Sequence, residues 1–537
     1  MANTFHVYGP PGCGKTTYLV EQITKAAESR GPENVLVASL TKAASTEMAS
    51  RSTGLPDSNV GTLHSHCYRQ MGSPEIAEKK LDIWNQENKG SNFSLTEESK
   101  GGLDYRRAES RSLGQKKGDE NYALMNMYRS QMKPIAEWPQ PVKNFFNRWT
   151  AWKEDCGFMD FTEMIERGIT DTWSAPGSPQ VLIGDETQDW SKLEMSLFRD
   201  HWGERAEVVM MAGDPDQTIF SWRGADSGCF MDHKIPEENK RFLTQSYRLP
   251  KEPHAYAREL IGRINSREDV EFSSTGNLGT VERCSASSRN CGKVMAIIEE
   301  EVKAGRKVMV LATCNYILSP LIKRLRREGI PFHNPYRPDN AMWNPLSRSK
   351  KKVMPTDRLL AFLKLDEKTW GSSAGDWDGS DINKWMSILR QEGLLERGVK
   401  TKIADKNYQA PKNLEEFTSL FLYPGDADKA LDLNLDWWES RMMGSSLKSM
   451  EFPLSIAKKR GGKALWKAPN VVVGTIHSVK GGEADTVIVF PDLSPQAHEP
   501  LHKKEERDNA VRLFYVAVTR TKDRLILCNA EGLRFTW

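Results

Sequence analysis

Residues 9–16, GPPGCGKT, constrain this chain more than any other stretch. They fit G-x-x-x-x-G-K-[ST], with the short apolar run FHVY before them. TTYLVEQITKAAES, with apolar residues at helical spacing, begins at the end of the motif. A strand that turns through glycines into a helix presents backbone N–H groups, and the positive end of the helix dipole, to phosphate oxygens. Gly9, Pro10, Pro11, Gly12, Cys13, Gly14, Lys15, Thr16 and Thr17 are therefore the nucleotide-binding candidates. Lys15 is the group that reaches the β/γ-phosphates, and Thr16 the one that ligates Mg²⁺ carried with ATP. A solvated lysine on a Gly-rich turn is the bland alternative. The intact strand–loop–helix context argues against it.

The chain has 537 residues, enough for about three or four structural units. Its formal net charge of +3 is close to balance, so any basic surface must be local. Eight cysteines are scattered with no C-x-x-C pair, which points away from a disulfide framework, a zinc site or an iron–sulfur site. No stretch is apolar for long enough to cross a bilayer and none reads as a signal peptide, so no membrane partner and a cytoplasmic location are expected.

Short apolar runs recur at Val35 (VLVASL), Val181 (VLIGDE), Val208 (VVMMAGD), Val308 (VMVLAT), Val471 (VVVGT) and Thr486 (TVIVFPD). Helical segments separate several of them, which predicts an α/β fold with parallel sheets and chemistry at strand C-terminal ends. The runs fall into one cluster before about residue 235 and one after about residue 240. Residues 70–160 are polar with helical periodicity; residues 336–465 hold turn-rich GSSAGDWDGSD, the basic runs RSKKK and KKRGGK, and many tryptophans. Both intervals read as mainly helical insertions.

VLIGDETQDW ends a strand with Asp185 and Glu186. In the same core as a phosphate loop, such a pair holds Mg²⁺ through the first carboxylate and polarises the attacking water through the second. VVMMAGDPDQTIFSWRGAD then places Asp214, Asp216 and Gln217 after a strand, with Gln217 as a γ-phosphate contact. Trp222 and Arg223 follow: an aromatic plane and a cation suited to stacking on an unpaired base and pairing with phosphate. On composition alone, Trp222 as core filler deserves equal weight.

These residues carry a resemblance. D-E-x-Q-D followed by G-D-x-D-Q-x-I-F-x-W-R-G-A resembles the pattern of superfamily 1 DNA helicases of the UvrD/Rep/PcrA branch. LTKAASTEM, GTLHSHCYR, MDFTEMIERG, LTQSYR, VGTIHSVKGGEADTVIV and VRLFYVAVTRTKDRLIL resemble the family's remaining motifs, collinear over almost the whole chain. The resemblance implies two RecA-like P-loop NTPase lobes, each with an inserted helical subdomain. The first lobe would comprise residues 1–69 and 156–240 around an insertion at 70–155. The second would comprise 241–335 and 466–537 around an insertion at 336–465.

It also implies roles. Lys15, Asp185, Glu186, Gln217, Arg248 and Arg520 would be the catalytic set, the two arginines contacting the γ-phosphate. Planar cations suit this, because charge spreads over the transferring phosphoryl oxygens. Glu483 would touch ribose or phosphate-bound water. Thr16 and Asp185 would hold the metal. Thr41, Lys42, Thr62, His64, Trp222, Arg223, Thr475 and His477, with Ser478, would line a single-stranded DNA track. Hydroxyl and imidazole groups at helix starts read phosphates rather than sequence. The implied activity is ATP-driven, 3′-to-5′ translocation on single-stranded DNA with duplex separation, on single strands and single/double-strand junctions. A monomer and replication or repair partners are expected. A protein-stripping translocase that unwinds weakly, or a nucleotide-dependent DNA-binding scaffold, are the alternatives.

The chain departs from the family pattern in three places. Only MANTFHVY precedes the loop, so the upstream glutamine segment that reads adenine is expected to be missing. Tyr247 would then hold the base by stacking, and other NTPs are expected to be accepted beside ATP. In SLTKAAS, Leu40 stands where relatives carry a base-stacking aromatic, and the stretch is one residue shorter. The second insertion is short and the last motif lies near the C-terminal end, so a reduced duplex-contacting module and no nuclease domain are expected.

Overall fold

A computed structural model describes residues 3–40, 54–94, 116–231, 235–264, 267–338, 340–349, 352–364 and 377–537. In the first sheet the strands are β1 (Asn3–Tyr8), β2 (Val35–Ser39), β3 (Val60–Thr62), β4 (Val181–Asp185), β5 (Val208–Gly213) and β6 (Lys240–Phe242). Their order is β3-β2-β4-β5-β1-β6. Pairing is parallel, with Val35 opposite Val181, Tyr8 opposite Gly213 and His6 opposite Lys240. Central runs are apolar on both faces because both faces are covered. Val35, Val37, Val181 and Ile183 pack with Leu19 and Ile23 of the helix Lys15–Arg30. Their neighbours Leu36, Ala38 and Leu182 point the other way, into a core with Trp190, Phe198 and Trp202. This is the two-residue period of a strand.

A parallel sheet gathers its strand ends. Tyr8 pairs with Gly213, and Ser39 with Asp185, so the segments that begin at Gly9, Glu186 and Asp214 all leave from one edge. That edge is where a doubly covered α/β sheet puts its chemistry.

The second sheet has the order β7-β12-β11-β8-β10-β9. Its strands are β7 (Thr280–Cys284), β8 (Val308–Ala312), β9 (Phe332–His333), β10 (Val471–Thr475), β11 (Ala484–Val489) and β12 (Thr521–Cys528). All five residues of β8 and of β10 are buried. The expectation of two parallel α/β sheets is met. By packing, the chain divides into two compact units: residues 1–283, 480–527 and 532–537, and residues 284–479 with 528–531.

Within the first unit, the helices Leu81–Glu87, Lys117–Ser130 and Gln140–Cys156 enclose Trp84, Phe93, Phe145, Trp149 and Trp152. Next to this aromatic core lies Asp160, fully buried, which caps the helix Phe161–Thr170 by accepting the Glu163 N–H at 2.7 Å. It also accepts both Arg129 contacts (3.0 and 2.9 Å), Lys153 (2.6 Å) and Trp149 Nε1 (2.8 Å). Burial alone would raise this carboxyl; Arg129 and Lys153 outweigh it and hold Asp160 well below the usual carboxylate range. Glu78 is the opposite case. Burial, reinforced by the charge of Asp160, pushes it up to about 7, although Tyr122 and the Phe161 N–H donate to it.

Within the second unit, tryptophans supply the core of the helical interval. Trp377, Trp385 and Trp438 are buried with Phe362, whose ring stacks on Trp438 at 4.4 Å. Among the described residues, no helix is long and apolar enough to cross a membrane.

Two stability outcomes follow from the carboxylates. Asp160→Asn leaves Arg129 and Lys153 without their shared buried partner and is expected to cost about 3 kcal/mol at pH 7 in urea unfolding. The Asp160 contribution is fully present above its unfolded value of about 4 and fades as pH falls below it. Glu78 is raised on folding, so its carboxyl favours the folded state least once pH exceeds about 7. Glu78→Gln should therefore remove a decline in stability between pH 5 and 8, and an unchanged slope would contradict the assignment.

Candidate nucleotide-binding and strand-contact site

The phosphate loop starts where β1 ends. The Gly9 N–H donates to Gly213 O at 3.0 Å, so the loop leaves the sheet already tied to β5. Gly12 and Gly14 both have φ of +74°, a conformation that disfavours a side chain. Gly12 is required for a second reason: a Cβ there would lie 2.4 Å from Arg248 Cβ and 2.8 Å from Ser246 Oγ. That close approach is built by hydrogen bonds. The Ser246 hydroxyl donates to Pro11 O and the Tyr247 N–H to Gly12 O, each at 2.8 Å. Arg248 is thereby held against the loop. Tyr247 is 74% exposed, and its ring would lie 3.7 Å from a Cβ on Gly14. Burial pushes the Cys13 thiol up to about 12, so it sits in the loop as an unreactive small apolar group.

On the neighbouring strand end, Lys15 Nζ lies 2.5 Å from Glu186 Oε1 and 3.7 Å from Asp185 Oδ1. Burial would lower the lysine, but Glu186 and then Asp185 raise it above its ordinary value. Burial would raise Glu186, but Lys15 and then Lys480 hold it well below the usual carboxylate range. Glu186 has φ of +55°, uncommon for a residue with a side chain, and its N–H donates to Asp185 Oδ1 at 2.9 Å.

The contacts continue past the carboxylate. Gln188 Nε2 donates to Glu186 Oε2 at 2.8 Å, and Lys480 Nζ lies 3.6 Å from the same oxygen. Lys480 also pairs with buried Asp189 and donates to Gln217 O at 2.7 Å. Gln217 donates through Nε2 to Asp214 Oδ2 and accepts from Arg520 Nη2 through Oε1, both at 2.6 Å. Arg520 is 2% exposed and its Nε donates to Val516 O at 2.9 Å. Arg248 donates through Nε to Glu483 Oε2 at 2.9 Å and through Nη1 to Thr519 O at 3.4 Å. Lys15, Glu186, Lys480, Gln217 and Arg520 thus form one unbroken polar chain within the first unit.

Residues 1–236 match the model of the UvrD/REP helicase N-terminal domain, and residues 470–528 that of the UvrD-like helicase C-terminal domain. The chain belongs to the UvrD/Rep helicase family. Its class is accordingly that of an ATP-dependent DNA helicase. It is 22% identical to the probable DNA helicase II homolog of Mycoplasma pneumoniae, over 97% of this chain and 81% of the relative. The corresponding protein of Mycoplasma capricolum is 23% identical over 97% of this chain and 81% of its own length. DNA helicase II of Escherichia coli is 25% identical over 48% of this chain and 38% of its own.

In this helicase two of the expected strand-contact residues of the first unit, His64 and Arg223, come together. Thr62 caps the helix Leu63–Gln70, accepting the Ser65 N–H at 3.1 Å. His64 and Arg223 meet through Glu194, at 3.9 and 3.1 Å, and line a pocket with Ser130, Thr162 and Ser191. Burial keeps His64 below its ordinary value, only partly offset by Glu194, which favours the neutral ring. Trp222 is half-buried, its ring 6.2 Å from Phe220. In the second unit, Thr475 is buried at the end of β10 and accepts the Ser478 N–H at 3.2 Å, with His477 between them, half-buried. Thr41 and Lys42 lie outside the described residues.

Three contributors were not singled out from the sequence as site residues: Ser246, Asp189 and Lys480. Each sits inside a family motif, but a hydroxyl, a carboxylate and a lysine there carry no signal of whom they will meet. Gly12→Ala tests the loop geometry. It should weaken binding of a fluorescent ATP analogue at least about tenfold, which is about 1.4 kcal/mol; unchanged affinity would show that the loop tolerates a side chain there.

Proposed function

We propose that this helicase hydrolyses ATP at the Gly9–Thr17 loop to move along single-stranded DNA, 3′ to 5′, and so separates duplexes. The observation that carries the reading is the polar chain from Lys15 to Arg520. It joins segments more than 500 residues apart in sequence through groups suited to phosphoryl transfer. Residues 1–69 with 156–240 and residues 241–335 with 466–537 are taken as the two lobes, with 70–155 and 336–465 as insertions.

Each role follows from the chemistry of the group. Loop N–H groups and Lys15 bind the phosphates, and Tyr247 stacks on the base. Glu186 stays charged at neutral pH and orients the attacking water. Arg248 and Arg520 stabilise charge on the transferring phosphoryl group, and Gln217, held between Asp214 and Arg520, senses it. For Mg²⁺ the donor set fits an ion that arrives with the nucleotide. Thr16 and Asp185 offer a hydroxyl and a carboxylate oxygen, the hard donors such an ion takes beside substrate phosphates. Thr16 and Asp185 would hold it, and it would neutralise charge on the β- and γ-oxygens. Thr41, Lys42, Thr62, His64, Trp222, Arg223, Thr475 and His477 are proposed to form the strand track.

Glu186→Gln should lower ATP turnover by about a thousandfold, within the range for removal of an acid–base group, while single-strand binding persists. Normal hydrolysis by this variant would remove the water-orienting role. Strand displacement on 3′-tailed, 5′-tailed and blunt duplexes tests polarity. Displacement of the 3′-tailed substrate is expected, and preference for the 5′-tailed one would reverse the proposed direction.

A further inference from the structure

We infer that Lys480 is a positioning residue for hydrolysis: it holds the Glu186 carboxylate through the oxygen that Lys15 does not contact and ties it to the Gln217 loop. The inference rests on the hydrolytic role proposed for Glu186 and adds a residue that role does not name.

The geometry is that of a three-point mount. An ammonium group has three donors and no acceptor. Lys480 donates to two acceptors, Asp189 and Gln217 O at 2.7 Å, and forms a longer ion pair with Glu186 Oε2 at 3.6 Å. Asp189 is the fixed point. It is fully buried, and its other oxygen accepts the Ile219 N–H at 3.2 Å, so the lysine is anchored to the loops after both β4 and β5. Phe220, whose ring centroid is 5.6 Å from Nζ, closes another side.

Lys15 and Lys480 approach different oxygens of Glu186. Lys15 is also the group that phosphates attract. When it turns to them, Glu186 loses its closest partner. Lys480 and Gln188 then remain to keep the carboxylate from swinging, at the moment when its direction matters. Lys480 stands three residues after His477, a proposed strand contact, and three before Glu483, a proposed nucleotide contact.

Removing Lys480 alone strands Asp189 as an uncompensated buried charge, so the informative variant is Lys480→Met combined with Asp189→Asn, paired with Lys480→Arg. Steady-state ATPase is measured with and without an oligo(dT) strand, with a thermal melt for each protein. The double variant should melt within a few degrees of the parent, keep its KM for ATP within threefold and lose about a hundredfold in kcat. Lys480→Arg, which restores a cation, should regain at least a tenth of the parental kcat. A double variant within threefold of the parental kcat would overturn the inference. So would a rise in KM with kcat preserved, or an arginine variant as slow as the double variant. If the double variant unfolds, Lys480→Arg decides alone: a kcat below a tenth of the parental value overturns the inference. A parent whose turnover ignores oligo(dT) would instead count against the proposed function, and is read from a different protein in the same assay.

Discussion

The Lys15–Glu186 ion pair is the interaction around which the site is arranged. It joins the phosphate loop after β1 to the acidic end of β4, two segments 171 residues apart in sequence. Burial disfavours the charge on each group, and each favours the other's ionised form. A buried pair is not a cheap source of stability, because desolvation consumes much of the attraction. What it supplies is a lysine that stays cationic beside a carboxylate that stays anionic.

Around that pair the parallel sheet does the geometric work. Strands running one way bring the Gly9, Glu186 and Asp214 segments to a common edge. The close approach of Gly12 to Ser246 and Arg248 then sets the backbone and Cβ of Arg248 against the loop. Helices Lys117–Ser130 and Gln140–Cys156 of the first unit are tied to helix Phe161–Thr170 by a second charged cluster, Asp160 with Arg129 and Lys153. Two buried charge clusters therefore sit in the same unit. The aromatic residues that crowd both helical intervals serve mainly as packing: Trp149 and Trp438 are fully buried.

The sheets were largely legible in the sequence because a doubly covered strand is a short, unbroken apolar run, and VLVAS, VLIGD and VVVGT have few other readings. The turn of GPPGCGKT was legible because Gly12 and Gly14 take a backbone conformation that favours glycine. Tryptophans in residues 377–438 were conspicuous but mute, since an indole in a helix has the same sequence signature in a core as on a ligand face. Thr475 and Thr62 were visible as hydroxyls at element ends. Their capping hydrogen bonds to Ser478 and Ser65 became evident only in three dimensions.

From its sequence alone this chain is committed to an α/β NTP-binding fold of the UvrD/Rep type, because motif spacing, strand runs and helix starts are local properties. The partnerships of Lys480, Gln217 and Arg520 were settled only by tertiary structure. A lysine or an arginine is surrounded by the same kinds of neighbour in sequence whether it ends in solvent or in a buried cluster. Chain segments hundreds of residues away decide which, by supplying acceptors and excluding water.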